Sequence, residues 1–516
     1  MFRSWNKVAA LALAFGFGAA GCSGSHSLMP AGPAASGNNL RARIAQGGRI
    51  PLRGAVPLAS QPPEGLQMAF LMTDGTVLAQ SYAGNTWYRY APDASGNYSN
   101  GTWTQAATLP TGYAPSAFSS AVLADGRLLI SGGEYNTPGN YDLQLVNLGA
   151  VYDPVKNTWK SLGHPVGWKW IGDSPASILP DGRFLIGQKL TKQVAALTPS
   201  TLHFTKLTYK GKADFNAEEG WTLLADGTIL TADVKKAPHA EIYNAATGTW
   251  KSAGSTIVDL HSPSPYHQCL PYGPAPQDCY LPPGEIGPLM LRPDGTVFAT
   301  GSYSSGYGVG HTSIFHSLGS QAGTWTVGPD FPNGDNAGDS FSVLLPSGNV
   351  LVFGVSGTLY EFDGTKFAQT GSGCCAPLLL PTGQVMIINY STVSLYTPSG
   401  QPQSSWLPTI SSVQKTLTRG QTYTITGTQF NGLSQAMSFG DEFQNATNYP
   451  LVRITNTSSG HVFYARTHDH SSMGVATGTA SVNTHFDVPS TMETGASTLQ
   501  VVANGIASKT VNVTVK

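Results

Sequence analysis

Short apolar runs broken by polar-glycine turns, with no helical 3.6-residue period after the first residues, mark the middle of this chain, and one such phrase recurs seven times. Each copy is an apolar run, a polar-glycine turn and a second apolar run. It reads FLMTDGTVLAQ at Asp74-Gly75, AVLADGRLLISGG at Asp125-Gly126, SILPDGRFLIG at Asp181-Gly182, TLLADGTILTAD at Asp226-Gly227 and LMLRPDGTVFATG at Asp294-Gly295. Two degenerate copies follow, VLLPSGNVLVFG at Ser347-Gly348 and LLLPTGQVMIIN at Thr382-Gly383. Asp-Gly between β-rich runs predicts a hairpin, because glycine accepts the positive φ that a tight two-residue turn requires.

A second phrase lies between the hairpins: VYDPVKNTWKSLG (Val151 to Gly163) and IYNAATGTWKSAG (Ile242 to Gly254), with partial copies GTWTQAATLP from Gly101 and GTWTVGPDFP from Gly323. Each predicts a strand, a turn and a Trp-bearing strand. Two hairpins make a four-stranded blade, and seven blades repeated radially predict an all-β fold, a seven-bladed β-propeller over residues 62–405. Trp103, Trp159, Trp250 and Trp325 hold equivalent places and are assigned to blade packing. A β-sandwich gives no reason for a sevenfold phrase. Past Trp406 the turn phrase is lost. TYTITG (Thr422 to Gly427), STLQVVAN (Ser497 to Asn504) and KTVNVTVK (Lys509 to Lys516) predict a separate immunoglobulin-like β-sandwich over 406–516.

The first residues differ in kind. Arg3 and Lys7 precede an apolar and glycine run from Val8 to Ala20, then Ala19-Ala20-Gly21-Cys22. That is a signal-peptide pattern over 1–21, and the cysteine after small residues resembles a bacterial lipobox. Lipidation of Cys22 would anchor the chain to the cell envelope, and Ser23 in place of aspartate points to the outer membrane or cell surface. An ordinary cleaved signal with an incidental cysteine is the competing reading. Residues 22–61, rich in Gly, Ser, Ala and Pro, are expected to form a flexible tether. Charged residues make up 11% of the chain and net charge is −1, which argues against a nucleic-acid partner; a monomer is expected. Export permits disulfides. Cys269 and Cys279 bracket a Pro-rich loop and suggest a local bridge, whereas the adjacent Cys374 and Cys375 leave a vicinal bridge, other pairings and free thiols open.

Seven such blades followed by TNYPLVRIT (Thr447 to Thr455) and STLQVVANGIAS (Ser497 to Ser508) resemble the galactose oxidase and glyoxal oxidase superfamily, with its kelch-like propeller and C-terminal "early set" domain, from about residue 62 to the end. The resemblance implies a copper centre with a cysteine-crosslinked tyrosine. Aligned on the Asp-Gly turns, the crosslinked tyrosine falls near Ala117, with Tyr113 out of register. The Tyr-His pair falls on Gly373 and Cys374, and the C-terminal histidine falls near Arg466, followed by His468 and His470. Copper oxidase chemistry is therefore not expected.

The same register places the residues seven to nine before each turn at one mouth of the propeller axis. Asp173, Glu218 and Asp339 share one position, Glu219 and Glu285 lie a residue away, and Trp170 and Trp221 are close, with Cys374 and Cys375 on the seventh blade. An acidic, aromatic-edged mouth suits an extracellular glycan or small polar ligand, because carboxylates accept hydroxyl hydrogen bonds and rings cover sugar C–H surfaces. A divalent cation held by Asp173, Glu218 and Asp339 with His468 or His470, an enzyme (a diverged oxidase, or a hydrolase or lyase) using the acids, and simple strand-end capping are the rival readings. The leading expectation is a non-catalytic recognition protein.

Overall fold

The computed structural model describes residues 54–136, 144–262, 286–302, 309–338, 340–373, 375–439 and 443–516. The seven hairpin phrases form seven blades. The first runs Leu66–Leu71, Val77–Ser81, Trp87–Ala91 and Thr102–Gln105, each strand antiparallel to the next. The other six blades begin at Ser119–Val122, Ala176–Ile178, Thr222–Leu223, Leu289–Leu291, Ser342–Leu344 and Ala376–Leu379. Neighbouring blades meet through these first strands, which are wholly buried and line the axis. The outer strands bear the tryptophans, which also join blades. Trp159 Nε1 donates to Ala107 O at 3.0 Å, Trp325 Nε1 to Ala253 O at 2.8 Å and Trp103 Nε1 to Ser60 O at 3.0 Å.

The ring closes with chain from both ends. Ala55–Pro57 pairs with Thr392–Tyr396 as the outermost strand of the seventh blade. The propeller therefore starts before residue 62, and residues 55–57 are ordered sheet rather than tether. Such closure ties the N-terminal part of the ring to its last blade, and each blade keeps only a short outer edge.

The Asp-Gly turns are also slightly different from the two-residue expectation. In the first blade Met72 N donates to Thr76 O, Gly75 N donates to Met72 O, and Gly75 has φ of 75°. This is a three-residue loop with one left-handed glycine and a bulge. The aspartate has a role of its own: Asp74 Oδ1 accepts Thr76 N at 3.1 Å, and Asp226 and Asp294 accept the equivalent N–H groups.

Beyond the seventh blade, strands Thr409–Val413, Thr422–Thr428, Leu451–Asn456, Val462–His468, Val482–Asp487, Gly495–Ala503 and Val511–Val515 form a continuous ladder. It wraps over one core containing Ile425, Ile454, Phe486, Leu499 and Val513. This domain sits on the Asp-Gly face of the propeller. Thr467 N donates to Thr73 O, His470 N to Ala124 O and Met473 N to Pro180 O.

Between its strands the domain sends a segment into the propeller axis. Met437–Ser438 pairs with Ser342–Leu344 as a fifth strand of the sixth blade. The Phe443 ring lies edge-on to Phe118, with centroids 4.9 Å apart. Asn445 Nδ2 donates to Ala69 O at 3.1 Å and Pro377 O at 2.9 Å, so one buried amide ties the first blade to the seventh. Gln444 N donates to Ser120 Oγ, and Tyr449 donates its hydroxyl to Leu71 O. Replacing Asn445 with alanine removes the donor to two carbonyls at a buried position. The variant is expected to lose about 1–3 kcal/mol of unfolding free energy in urea titration; an unchanged midpoint would contradict this role.

Candidate functional site

The opposite end of the axis is the end from which the first strands start. Asp173 precedes the third blade's first strand, Ala176–Ile178, and lies at its far end from the Asp181-Gly182 turn. Asp173 and Glu218 come together here, as their shared position predicts. The group between them is a lysine. Lys189 Nζ lies 2.6 Å from Asp173 Oδ2 and 2.7 Å from Glu218 Oε1, and it donates to Asp173 O at 3.3 Å. Asp173 and Lys189 are buried and Glu218 is partly open to solvent. Trp170 Nε1 donates to Lys189 O at 2.8 Å, fixing the lysine's backbone. Tyr135, from the second blade, hydrogen-bonds Glu134, and burial first, then Glu134, Asp173 and Glu218, drive its hydroxyl well above the usual range.

This arrangement corrects the divalent-cation expectation at Asp173 and Glu218. The chain supplies its own cation, so the two like charges coexist without a metal. It also separates the acids from the histidines. His470 N bonds to Ala124 O beside the Asp125-Gly126 turn, at the other end of the strands. His470 itself is buried, donates or accepts through Nδ1 with Thr484 Oγ1 at 2.8 Å, and lies parallel to Tyr449; burial lowers its imidazole to about 3. Arg466, where alignment placed a C-terminal ligand, donates to Asp125 O on that same face. The segment that enters the axis is instead the one carrying Phe443 and Asn445.

Glu219 and Trp221 are not at the mouth. One residue beyond Glu218 the chain's alternation turns Glu219 into the fourth blade. There Lys212 Nζ lies 2.9 Å from Glu219 Oε1 and 2.9 Å from Glu241 Oε2, all three fully buried. The ammonium stands over the Trp250 ring at 4.4 Å, and Trp221 packs on that ring in the same core. Asp233 stands beside this group and meets His239 Nδ1 at 2.6 Å. Burial pushes Glu219 up to about 8 against the opposing pull of Lys212, and burial likewise raises Asp233 to about 8.

Cys375 is disulfide-bonded, which rules out free thiols for it. Cys374, Glu285, Asp339, Cys22, Cys269 and Cys279 lie outside the described residues.

Five mouth residues are not singled out by the sequence patterns: Lys189, Glu134, Tyr135 and the tyrosine pair Tyr82 and Tyr390. All sit where the second strand of a blade returns to the mouth. The signal was present in the hairpin register: extending Ala176↔Ile186 by three residues sets Asp173 opposite Lys189. Tyr82 N donates to Gly65 O and Leu66 N to Tyr390 O, which places both tyrosines at the start of the first blade's inner strand. Their rings meet edge to face, 5.7 Å apart, and Tyr82 is 40% exposed.

No known family and no curated protein matches the chain. Among solved structures it is similar to a fungal alcohol oxidase of the AA5 family in complex with copper, at 14% identity and a TM-score of 0.48, over 90% of this chain and 99% of that one. It is also similar to virginiamycin B lyase from Staphylococcus aureus, at 11% identity and a TM-score of 0.42, over 68% of this chain and 99% of that one. A third is the extracellular domain of a putative one component system from B. thetaiotaomicron, at 9% identity and a TM-score of 0.41, over 90% of this chain and 58% of that one. At these values the likenesses assign neither activity nor ligand.

The buried acids make a pH prediction. A carboxyl raised from 4.5 to about 8 binds more protons in the folded chain between those values, so stability falls as pH rises through that window. Glu219→Gln imitates the protonated form. It is expected to match the parent near pH 5 and to exceed it at pH 9 by about 1–3 kcal/mol, with Asp233 leaving a residual slope in both. Denaturant titrations at the two pH values check this, and parallel pH profiles would contradict it.

Proposed function

We propose that this chain is an exported lipoprotein, anchored through Cys22 to the cell envelope, whose kelch-like propeller binds an extracellular glycan or other small polar ligand at the mouth opposite its early-set domain. The observation that carries the reading is the mouth itself. It sets the Asp173–Lys189–Glu218 bridge on the same face as the exposed Tyr82 and the half-buried Tyr390. The partly open Glu218 carboxylate offers acceptor oxygens to hydroxyl groups, and the Tyr82 ring offers a flat apolar surface for sugar C–H groups. The segment from the C-terminal domain runs along the axis from the Asp-Gly face, with Asn445 at Ala69 O and Phe443 against Phe118 at the start of the second blade's first strand, so a ligand at the mouth would meet a filled axis and bind to the side chains around it.

The alternative is an enzyme on the same scaffold. A glycoside-cleaving pair needs one protonated and one ionised carboxyl with the substrate between them. Between Asp173 and Glu218 stands Lys189, and this favours binding over acid–base cleavage.

The test is a glycan array of neutral and acidic oligosaccharides probed with the mature chain, followed by calorimetry on the strongest hit. Tyr82→Ala, at an exposed position, is expected to keep the fold and weaken binding about tenfold, the worth of one ring contact. A hit bound equally by Tyr82→Ala would contradict the assignment, as would an array on which nothing binds.

A further inference from the structure

Away from the mouth, on the face where the C-terminal domain meets the propeller, three side chains of suitable chemistry converge without a role in the proposed function. His468 ends the strand Val462–His468, and its cross-strand partner is His485 on the strand Val482–Asp487. The two rings stand on one side of the ladder with centroids 5.6 Å apart. Asp469, the next residue, has φ of 53°, and this left-handed turn brings its carboxylate back toward both rings. Asp469 Oδ2 lies 2.7 Å from His468 Nδ1 and 3.5 Å from His485 Nδ1. One potential ligand atom from each residue falls within 4.8 Å of the others. A metal with bonds of about 2.0–2.2 Å to nitrogen and oxygen spans such a triangle with small side-chain adjustments.

A second observation comes from the other side of the same imidazole. His468 Nε2 lies 3.2 Å from Asp487 Oδ1. Asp487 is itself held, by Arg466 Nη1 at 2.9 Å and by the Thr422 hydroxyl at 2.6 Å. A ligating histidine characteristically donates its remote N–H to a fixed carboxylate, which sets the tautomer and directs the other nitrogen's lone pair at the metal. Asp487 and His468 have that relation, with Nδ1 facing Asp469 and His485. The rim of the group is open: Asp469 is 57% exposed and His485 43% exposed at the side chain, so an ion reaches it from solvent and keeps water at its remaining positions.

We propose that His468, Asp469 and His485 form a binding site for a divalent cation of the zinc or copper(II) type, with Asp487 orienting His468. Two imidazoles and one carboxylate select such borderline cations over calcium or magnesium, which prefer all-oxygen shells. The location gives the site a structural consequence. The chain that carries His468 and Asp469 is pinned to the second blade by Arg466 Nη2 on Asp125 O and by His470 N on Ala124 O. A metal there ties two strands of the C-terminal domain together beside its seam with the propeller.

The experiment uses the mature chain, freed of any affinity tag and treated with a chelator. Zinc is titrated calorimetrically, and cobalt(II) is followed by its visible absorption as a geometry-sensitive probe. One equivalent of zinc is expected to bind. His485→Ala and Asp469→Asn are each expected to weaken binding by tenfold or more; asparagine tolerates the left-handed backbone at this position, so the second variant keeps the loop. His203→Ala, an exposed histidine elsewhere on the propeller, is expected to change nothing. Absence of a stoichiometric zinc site overturns the proposal, and so does zinc binding that survives both His485→Ala and Asp469→Asn at full strength.

Discussion

The structure depends on what fills the propeller axis. Seven blades placed radially leave a central channel lined by carbonyls and N–H groups that face no partner strand, and a dry channel would leave them unsatisfied. Here the C-terminal domain supplies the partners. Ser342 and Val343 gain a short added strand, Ala69 and Pro377 share the Asn445 amide, and Ser120 accepts from Gln444 N. The aromatic residues Phe439 and Phe443 fill the space beside Phe341, with the Phe341 and Phe439 centroids 4.4 Å apart. Because this insertion enters from the Asp-Gly face and runs along the axis as far as Phe118 and Phe341, at the opposite ends of their blades' first strands, the two domains act as one packed unit.

At and beneath that mouth two buried lysines work in the same way with different exposure. Each sits between two carboxylates, Lys189 between Asp173 and Glu218 and Lys212 between Glu219 and Glu241. Taking such ions out of water costs several kcal/mol each, and the mutual attraction only roughly repays it, so these bridges fix geometry more than they add stability. The Lys212 group is sealed by Trp250 and Trp221. The Lys189 group opens to solvent at Glu218. Adjacent residues, Glu218 and Glu219, thus serve two unconnected clusters because successive side chains along an extended chain point to opposite sides.

Much of this was legible from local signals. The Asp-Gly phrases gave blade number and turn position, because a glycine at positive φ and an aspartate bonding the N–H two residues on are local requirements. Asp173 and Glu218 were found because they share one offset from the turn. Lys189 was not, because it lies beyond the turn, on the returning strand of the hairpin, and its partnership shows only in the cross-strand register. The axial insertion left no periodic signal at all: SFGDEFQNATNYP has neither strand alternation nor a turn phrase, and its partners lie hundreds of residues away. His485 lies beside His468 through cross-strand pairing rather than through sequence spacing, whereas His470, nearer in sequence, turns inward to Thr484.

The most direct measurement of the central claim is a crystal structure of the mature chain with a bound oligosaccharide. The account predicts sugar density at the mouth, with a ring face against Tyr82 or Tyr390 and hydroxyl groups within hydrogen-bond distance of Glu218. Sugar density seated instead on the C-terminal domain or on the Asp-Gly face, with the mouth filled by solvent, would contradict it.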